Sequence, residues 1–392
     1  MDYTTYKNPD YFNVDDLLTD EHKLIRQSVR EWVNRRLKPV IDKYNHEHKF
    51  PEFIIKDLGE LGAFGPYIPE KYGAAGLDFT AYGVIMQELE RGDSGIRSVA
   101  SVQSSLVMYP IFEFGNEEQK QKYLPKLAKG ELIGAFGLTE PNHGSDPGSM
   151  ETKLTDKGDH YLLNGAKMWI TNAPIADVAI VWARDDEGIV RGVIVEKGMK
   201  GFTAPETHNK WSLRASVTGE LVFDDVIIPK ENILPNIQGL KGPMMCLNSA
   251  RYGIAWGVIG AASDCYDTAL NYALERKQFN KPIASFQLNQ KKLAEILTEI
   301  TKAQLMAWRM GALKDAGKVT PSQISMCKRN NVEMALKVAR ESRQILGAMG
   351  ISGEYPIMRH MMNLESVITY EGTHDIHLLI TGFDITGIAA FK

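Results

Sequence analysis

Tyr161-Leu162-Leu163-Asn164-Gly165-Ala166-Lys167-Met168-Trp169-Ile170 is the stretch on which the fold turns. It sets an Asn-Gly pair between two short apolar runs, a strong hairpin signal, and so predicts two strands joined by a turn at Asn164-Gly165. Further strand-like runs follow at Val178 to Ala183, Arg191 to Glu196 and Glu220 to Phe223, with Asp186-Glu187-Gly188 and Gly198 to Gly201 between them. Both flanks read differently. From Thr19 to about Tyr44, the residues Leu24, Ile25, Val29, Trp32, Val33 and Leu37 recur at spacings of three and four, the mark of an amphipathic helix. More helices are expected around Glu52 to Leu61, Ala81 to Arg91 and Glu117 to Lys129, with Tyr72-Gly73-Ala74-Ala75-Gly76 as a turn. Beyond the Gly239 to Pro243 turn come Ala250 to Lys277, Gln287 to Ala316 and Thr320 to Met349, rich in Ala, Leu, Met and Ile. Helices, a small sheet, then helices argue for an α+β chain rather than alternating βαβ units. The expected division is an N-terminal all-α domain over 1–133, a central small β-sheet or barrel domain over 134–236 and a C-terminal α-helical bundle over 237–392.

A chain of 392 residues exceeds one typical domain of roughly 100 to 200 residues. Hydrophobic content of 44% and charged content of 24% are those of an ordinary globular protein, which removes disordered and fibrous classes. A net charge of -4 gives no general attraction to nucleic acid or an anionic membrane. Cys246, Cys265 and Cys327 are odd in number and form no Cys-x-x-Cys pair, so neither a disulfide framework nor a metal site is expected. The N-terminus has the character of neither a signal peptide nor a transit peptide. No apolar run approaches the ~18 residues of a membrane span. The expected location is a bacterial-type cytoplasm, or the mitochondrial matrix for a processed chain.

Nucleotide and hydrolase motifs are missing: no Gly-x-Gly-x-x-Gly opens a helix after a strand, and there is no Walker lysine, His-Glu-x-x-His or Gly-x-Ser-x-Gly. Two other segments carry chemistry. Phe136-Gly137-Leu138-Thr139-Glu140-Pro141-Asn142-His143-Gly144-Ser145-Asp146 gathers hydroxyl, amide and glycine groups that can offer N–H and O–H donors to a polar ring or phosphate, although composition by itself favours a simple turn. Trp169-Ile170-Thr171-Asn172 couples an indole to a hydroxyl, which suits one face of an aromatic cofactor, although Trp169 by itself reads as core.

Together these segments resemble the flavin-binding signature of the acyl-CoA dehydrogenase family, and the resemblance spans nearly the whole chain. It implies FAD as cofactor, with Phe136, Leu138, Thr139, Gly144, Ser145, Trp169, Ile170 and Thr171 at the flavin and the Ser145 backbone also meeting the acyl-CoA chain. Arg276-Lys277-Gln278-Phe279 and Gln287 are similar to the elements that hold the pyrophosphate and adenine side of FAD in the family's homotetramers; unassisted, Arg276 is a solvated helix charge. Gln344-Ile345-Leu346-Gly347-Ala348-Met349-Gly350 resembles a glycine turn that approaches the FAD of a neighbouring subunit, with Ala348 where a glycine is common. Thr373 and Phe391 complete the implied cofactor set.

Tyr370-Glu371-Gly372-Thr373-His374-Asp375-Ile376-His377 resembles the family's catalytic element. The resemblance makes Glu371 the base that removes the α-proton of the thioester while a hydride leaves Cβ, with Gly372 beside it at the substrate. On its residues alone Glu371 is a surface glutamate in a turn. His374 and His377 are expected to be ordinary polar packing. Glu90-Arg91-Gly92-Asp93-Ser94-Gly95-Ile96-Arg97-Ser98 resembles the glutaryl-CoA branch in particular. A distal carboxylate must be desolvated on binding, and a guanidinium matches it with paired charge-assisted hydrogen bonds. That implies Arg97, with Ser98, as its partner, and Glu90 and Tyr370 as companions of the decarboxylation that turns a glutaconyl intermediate into crotonyl-CoA and CO2. Met244 to Arg251 resembles the segment along the CoA chain, which places Leu247, Asn248 and Arg251 there; a structural arginine fits Arg251 equally well on sequence. The implied activity is dehydrogenation of glutaryl-CoA with electrons passed to an electron-transfer flavoprotein. Open alternatives are a non-decarboxylating relative, an acyl-CoA dehydrogenase or oxidase of other specificity, and a catalytically silent flavin or CoA-binding scaffold.

Overall fold

The structure, a computed structural model, describes residues 10–390, so Phe391 lies outside the described residues. The Thr19 hydroxyl accepts a hydrogen bond from the His22 N–H at 3.2 Å and starts α1, Asp20–Trp32. A wide π-helical turn at Val33–Leu37 carries the chain into α2, Lys38–Glu47. The periodicity that began at Thr19 is therefore one rod with a loosened centre. Then come α3 (Phe53–Glu60), α4 (Phe79–Gly92), α5 (Ser94–Ser101), a second π-helical segment at Val102–Met108, α6 (Tyr109–Phe114) and α7 (Glu117–Ala128). Every residue of α5 and of the following π-helical segment is buried. Its polar residues Ser94, Arg97, Ser98 and Ser101 recur at spacings of three and four, yet the face they form is buried like the rest of the helix.

The sheet holds β1 (Gly134–Gly137), β2 (Lys153–Asp156), β3 (His160–Thr171), β4 (Val178–Asp185), β5 (Val190–Glu196), β6 (Phe202–Thr203) and β7 (Thr218–Pro229), in the order β1-β4-β2-β3-β7-β6 with β5 paired to β4. Here the hairpin expected at Asn164-Gly165 is corrected. β3 runs straight through it, antiparallel to β2 on one side and to β7 on the other. The pairing steps from Leu163↔Val226 to Gly165↔Phe223, so the Asn-Gly pair marks a register shift. A two-residue type I′ turn needs positive φ at both positions, and of the two only Gly165 has it, at 140°. The Asn164 amide instead bonds sideways to Asp225, donating to Oδ1 and accepting from the backbone N–H, both at 2.9 Å. A Cβ on Gly165 would lie 2.7 Å from Thr152 Oγ1, so glycine is needed here for close approach.

The second helical group is α8 (Lys241–Glu275), α9 (Gln287–Asp315), α10 (Pro321–Ile345), α11 (Ile357–Val367) and α12 (His374–Thr386), with a hairpin of β8 (Lys277–Gln278) and β9 (Lys281–Pro282) between α8 and α9. α8 packs on α4 through small residues. A Cβ on Gly260 would sit 1.8 Å from the Gln87 carbonyl oxygen, and one on Gly257 would sit 2.2 Å from Glu90 Oε2. Helices of both flanks thus share one core, which also takes in Phe136 and Trp182 from the sheet and Leu138 just beyond β1; a second core lies among β1 to β7. No helix among the described residues is long and apolar enough to cross a membrane.

Candidate active site

Two helices and one loop bring the acidic, basic and phenolic groups together. Glu90 ends α4, Arg97 and Ser98 sit on α5, and Tyr370-Glu371 lies in the loop between α11 and α12. Arg97, with no exposed surface, donates from Nε to Glu90 Oε2 at 2.6 Å and from Nη2 to the Tyr370 hydroxyl. Ser98 Oγ and the Tyr370 hydroxyl lie 3.3 Å apart. Burial works against the Arg97 charge, but the Glu90 carboxylate outweighs it and holds the guanidinium above its ordinary value. Burial pushes the Tyr370 phenol up to about 12, so it stays a neutral donor.

Around this chain of contacts three buried atoms have no hydrogen-bond partner: Glu90 Oε1, Arg97 Nη1 and Glu371 Oε2. Buried polar groups are nearly always paired, and an unsatisfied one costs ~1–3 kcal/mol, more for a charged group, so three in one place point to a ligand. Glu371 also sits at φ 53°, the left-handed region that non-glycine residues rarely adopt. Its carboxyl is raised by burial, against the pull of Arg97, Lys328 and Arg251.

The loop carrying Glu371 is gripped from behind. Arg251 Nε on α8 donates to the Glu371 carbonyl at 2.7 Å, and its Nη1 to Asn248 Oδ1 at 3.2 Å. Arg251 is buried, and burial lowers its pKa. Leu247 is half-buried against the helical core. The Thr373 hydroxyl caps α12 by accepting from the Ile376 N–H at 3.3 Å.

The segments around Leu138 and Trp169 also meet. The pairing of β3 with β7 slips again between Lys167 and Ile170, and the Met168 N–H there donates to the Thr139 carbonyl at 2.9 Å. Lys167, fully buried, donates to the Leu138 carbonyl at 3.2 Å and to Glu140 Oε1 at 2.8 Å. Trp169, at φ 62° and 56% exposed, presents its indole at the surface, while Phe136, Leu138 and Ile170 are buried and Thr171 is half-buried. Gly144 and Ser145 are exposed, and a Cβ on Gly144 would meet nothing within 4 Å. An exposed indole beside an open glycine loop fits a flat aromatic ring. Glu140, His143 and Glu151 offer atoms within 4.8 Å of one another. Both Glu140 oxygens are already occupied, by Thr152 and Lys167 on one side and the Glu151 N–H on the other.

With this geometry in hand, comparison with known proteins is decisive. The sequence matches the acyl-CoA dehydrogenase N-terminal domain over residues 19–131, the middle domain over 135–226 and the C-terminal domain over 238–384. The chain belongs to the acyl-CoA dehydrogenase family. Among curated relatives, glutaryl-CoA dehydrogenase of Desulfococcus multivorans is 38% identical over 95% of this chain and 98% of its own. Human mitochondrial short-chain specific acyl-CoA dehydrogenase is 36% identical over 93% of this chain and 89% of its own. A solved glutaryl-CoA dehydrogenase of Mycobacterium smegmatis, in complex with FADH2, is 48% identical, with a TM-score of 0.97 over 99% of this chain and 100% of that one.

As an acyl-CoA dehydrogenase, the chain also carries a second, exposed group of the expected residues at one end of its C-terminal helices. Arg276 follows α8, Phe279 is 87% exposed at φ 51° in the hairpin, and Gln287 opens α9. Lys292 on α9 holds Gln344 Oε1 at 2.8 Å, next to Gly347 at φ 59°. Nothing lies within 4 Å of a Cβ on Gly347, and Ala348 is likewise exposed. None of this group shares a hydrogen bond with Glu371, unlike Arg97, Tyr370 and Arg251, which contact one another or the Glu371 loop directly.

Sequence reasoning missed Lys328. It lies on the buried face of α10 with Ile324, Asn331, Val332 and Ala335, 1% exposed, and donates to the Tyr370 carbonyl at 3.0 Å and the Gly372 carbonyl at 2.9 Å. A lysine in phase with an apolar stripe was the available signal. His377, expected as ordinary polar packing, is fully buried beside Gly372.

Proposed function

We propose that this acyl-CoA dehydrogenase uses FAD to oxidise glutaryl-CoA and decarboxylates the product to crotonyl-CoA. One observation carries the reading: the unpartnered Glu371 Oε2 belongs to the same buried group as the unpartnered Arg97 Nη1, with Tyr370 joining the two. A thioester bearing a distal carboxylate has an α-proton for the first and an anion for the second. The 48% identity to a solved glutaryl-CoA dehydrogenase, against 36% to a solved butyryl-CoA dehydrogenase, supports the same substrate.

In this reading bound flavin supplies the acceptor for the Cβ hydride, with the Trp169 indole and the 138–145 loop as its protein contacts. Glu371, its carboxyl raised by burial, takes the α-proton as carboxylate and is thereby the protonated acid in the next step. Arg97 Nη1 holds the distal carboxylate while the neutral Tyr370 hydroxyl and Ser98 fix the arginine's place. Loss of CO2 from glutaconyl-CoA leaves an electron pair delocalised over the dienolate, and the proton held on Glu371 is returned to the γ carbon. Glu90, 2.6 Å from Arg97, keeps the pocket close to neutral, so a carboxylate enters without a large excess of positive charge and CO2 departs without one. Electron transfer to an electron-transfer flavoprotein and assembly as a homotetramer complete the proposal. Exposed Phe279 and Arg276, with Gln287, Gln344 and Gly347, form the surface we assign to a neighbouring subunit's FAD.

A second reading, a short-chain monocarboxylic acyl-CoA dehydrogenase, draws on the same Arg97–Glu90 pair, which is already charge-balanced without an anion. Anaerobic titration separates the two. Glutaryl-CoA is expected to bleach the flavin at far lower concentration than butyryl-CoA, with crotonyl-CoA and CO2 formed on turnover with an acceptor. Bleaching by butyryl-CoA alone would remove the dicarboxylate assignment, and glutaconyl-CoA as the end product would remove decarboxylation.

A further inference from the structure

We infer that Lys328 is a positioning residue for the base: its ammonium clasps the two carbonyls flanking Glu371 and holds the carboxyl in its reactive place. The inference rests on the reading of Glu371 as base. Three consecutive carbonyls, those of Tyr370, Glu371 and Gly372, accept from two buried cations, Lys328 taking the outer two and Arg251 the middle one. Peptide carbonyls seldom converge in this way on side-chain cations, and the residue at their centre is the non-glycine Glu371 at φ 53°. Strained backbone persists only where its surroundings over-determine it, and here the two cations do so.

The choice of acceptor atoms matters. A buried ammonium near a buried carboxylate ordinarily pairs with it, which would quench a base. Lys328 instead binds main-chain oxygens on both sides, leaving Glu371 Oε2 without a partner while the positive charge still favours the carboxylate form. The groups facing the ammonium are Glu371 and Tyr370 of the loop, Arg251 from α8, Arg97 from α5 and His377 from α12, the last kept neutral by burial. Burial brings Lys328 itself down to about 7.

Stopped-flow reduction of the flavin in the purified holoenzyme by saturating glutaryl-CoA, followed from pH 5.5 to 9, tests this. Lys328→Met is expected to retain flavin, to slow reduction tenfold or more with KM changed far less, and to move the acid limb of the profile to higher pH. Lys328→Arg is expected to return the limb towards wild type. A Lys328→Met enzyme with the wild-type rate and limb overturns the inference. Should that variant lose flavin, Lys328→Gln, which keeps a donor but not the charge, is expected to show the same shift, and an unmoved limb in it is equally fatal. Wild type and Glu371→Gln run in parallel keep the two readings apart. Reduction of Glu371→Gln at the wild-type rate removes the base itself and the inference with it. If wild type responds to butyryl-CoA and not to glutaryl-CoA, only the substrate reading falls, and the Lys328 series in butyryl-CoA decides the inference.

Discussion

Two buried lysines hold two loops, and they do so in opposite ways. Under the 138–145 loop, Lys167 reaches both a carbonyl and the Glu140 carboxylate, and every Glu140 oxygen is engaged. Burial alone would raise Glu140, but the Glu151 N–H, Lys167 and Thr152 bring it down to about 2. Under the 370–372 loop, Lys328 reaches only carbonyls, and the Glu371 carboxyl, with an oxygen unpartnered, is raised instead. Similar residues at similar depth thus give a fully paired carboxylate in one place and one with an unpartnered oxygen, the proposed base, in the other. What differs is whether the cation bonds to the acid or to the backbone around it.

The contrast can be broken at several points. Glu371→Gln carries the largest expected effect: it keeps flavin but lowers the rate of anaerobic bleaching by ~10²- to 10⁴-fold, the usual contribution of a positioned base. Arg97→Met comes next. Losing one partner of a buried ion pair costs ~3–5 kcal/mol, so affinity for glutaryl-CoA should fall at least about a hundredfold. Butyryl-CoA should suffer far less, and equal losses in competitive titration would make Arg97 purely structural. On the fully paired side, Lys167→Met strands Glu140 and should lower unfolding stability by ~3–5 kcal/mol, read from chemical denaturation. A loss below ~1 kcal/mol would mean the Lys167–Glu140 pair does not anchor its loop.

The smallest effect concerns pH. Burial, with Lys328 and Arg251 nearby, brings His377 from 6.5 down to about 3, so the folded protein resists a proton that the unfolded chain accepts. Its contribution to stability is complete above pH 6.5 and is lost as pH falls towards 3. Replacing His377 by Asn should therefore flatten the decline in urea midpoint between pH 7 and pH 5. A decline as steep as in wild type would assign it to other groups.

How much of this was legible in the sequence depended on exposure to a pattern. Helices α1, α9 and α10 keep exposed polar positions and read as helices, and α4 read as one although none of its residues is exposed. α5 and its π-helical continuation, buried throughout, did not, although they carry Arg97 and Ser98. Those two residues, like Glu371, came from the resemblance and not from spacing. Asn164-Gly165 misled because a short-range turn signal cannot see β7, whose Asp225 captures the asparagine side chain across the sheet. Lys328 was passed over because a lone lysine in a helix is ordinarily solvated.

By itself the sequence determined the α+β order of helices, sheet and helices, the segments around Leu138, Trp169, Arg97 and Glu371 that carry the resemblance, and the family to which they point. Such features are local: a period, a turn residue or a short motif is complete within a few positions of the chain. Only the tertiary structure decided that Asn164-Gly165 continues a strand and that Lys328 and Arg251, 77 positions apart as 328 − 251, close on three successive carbonyls. It alone decided which buried oxygens and nitrogens are left without partners. Hydrogen-bond satisfaction belongs to whole surroundings, and those exist only once distant segments have packed.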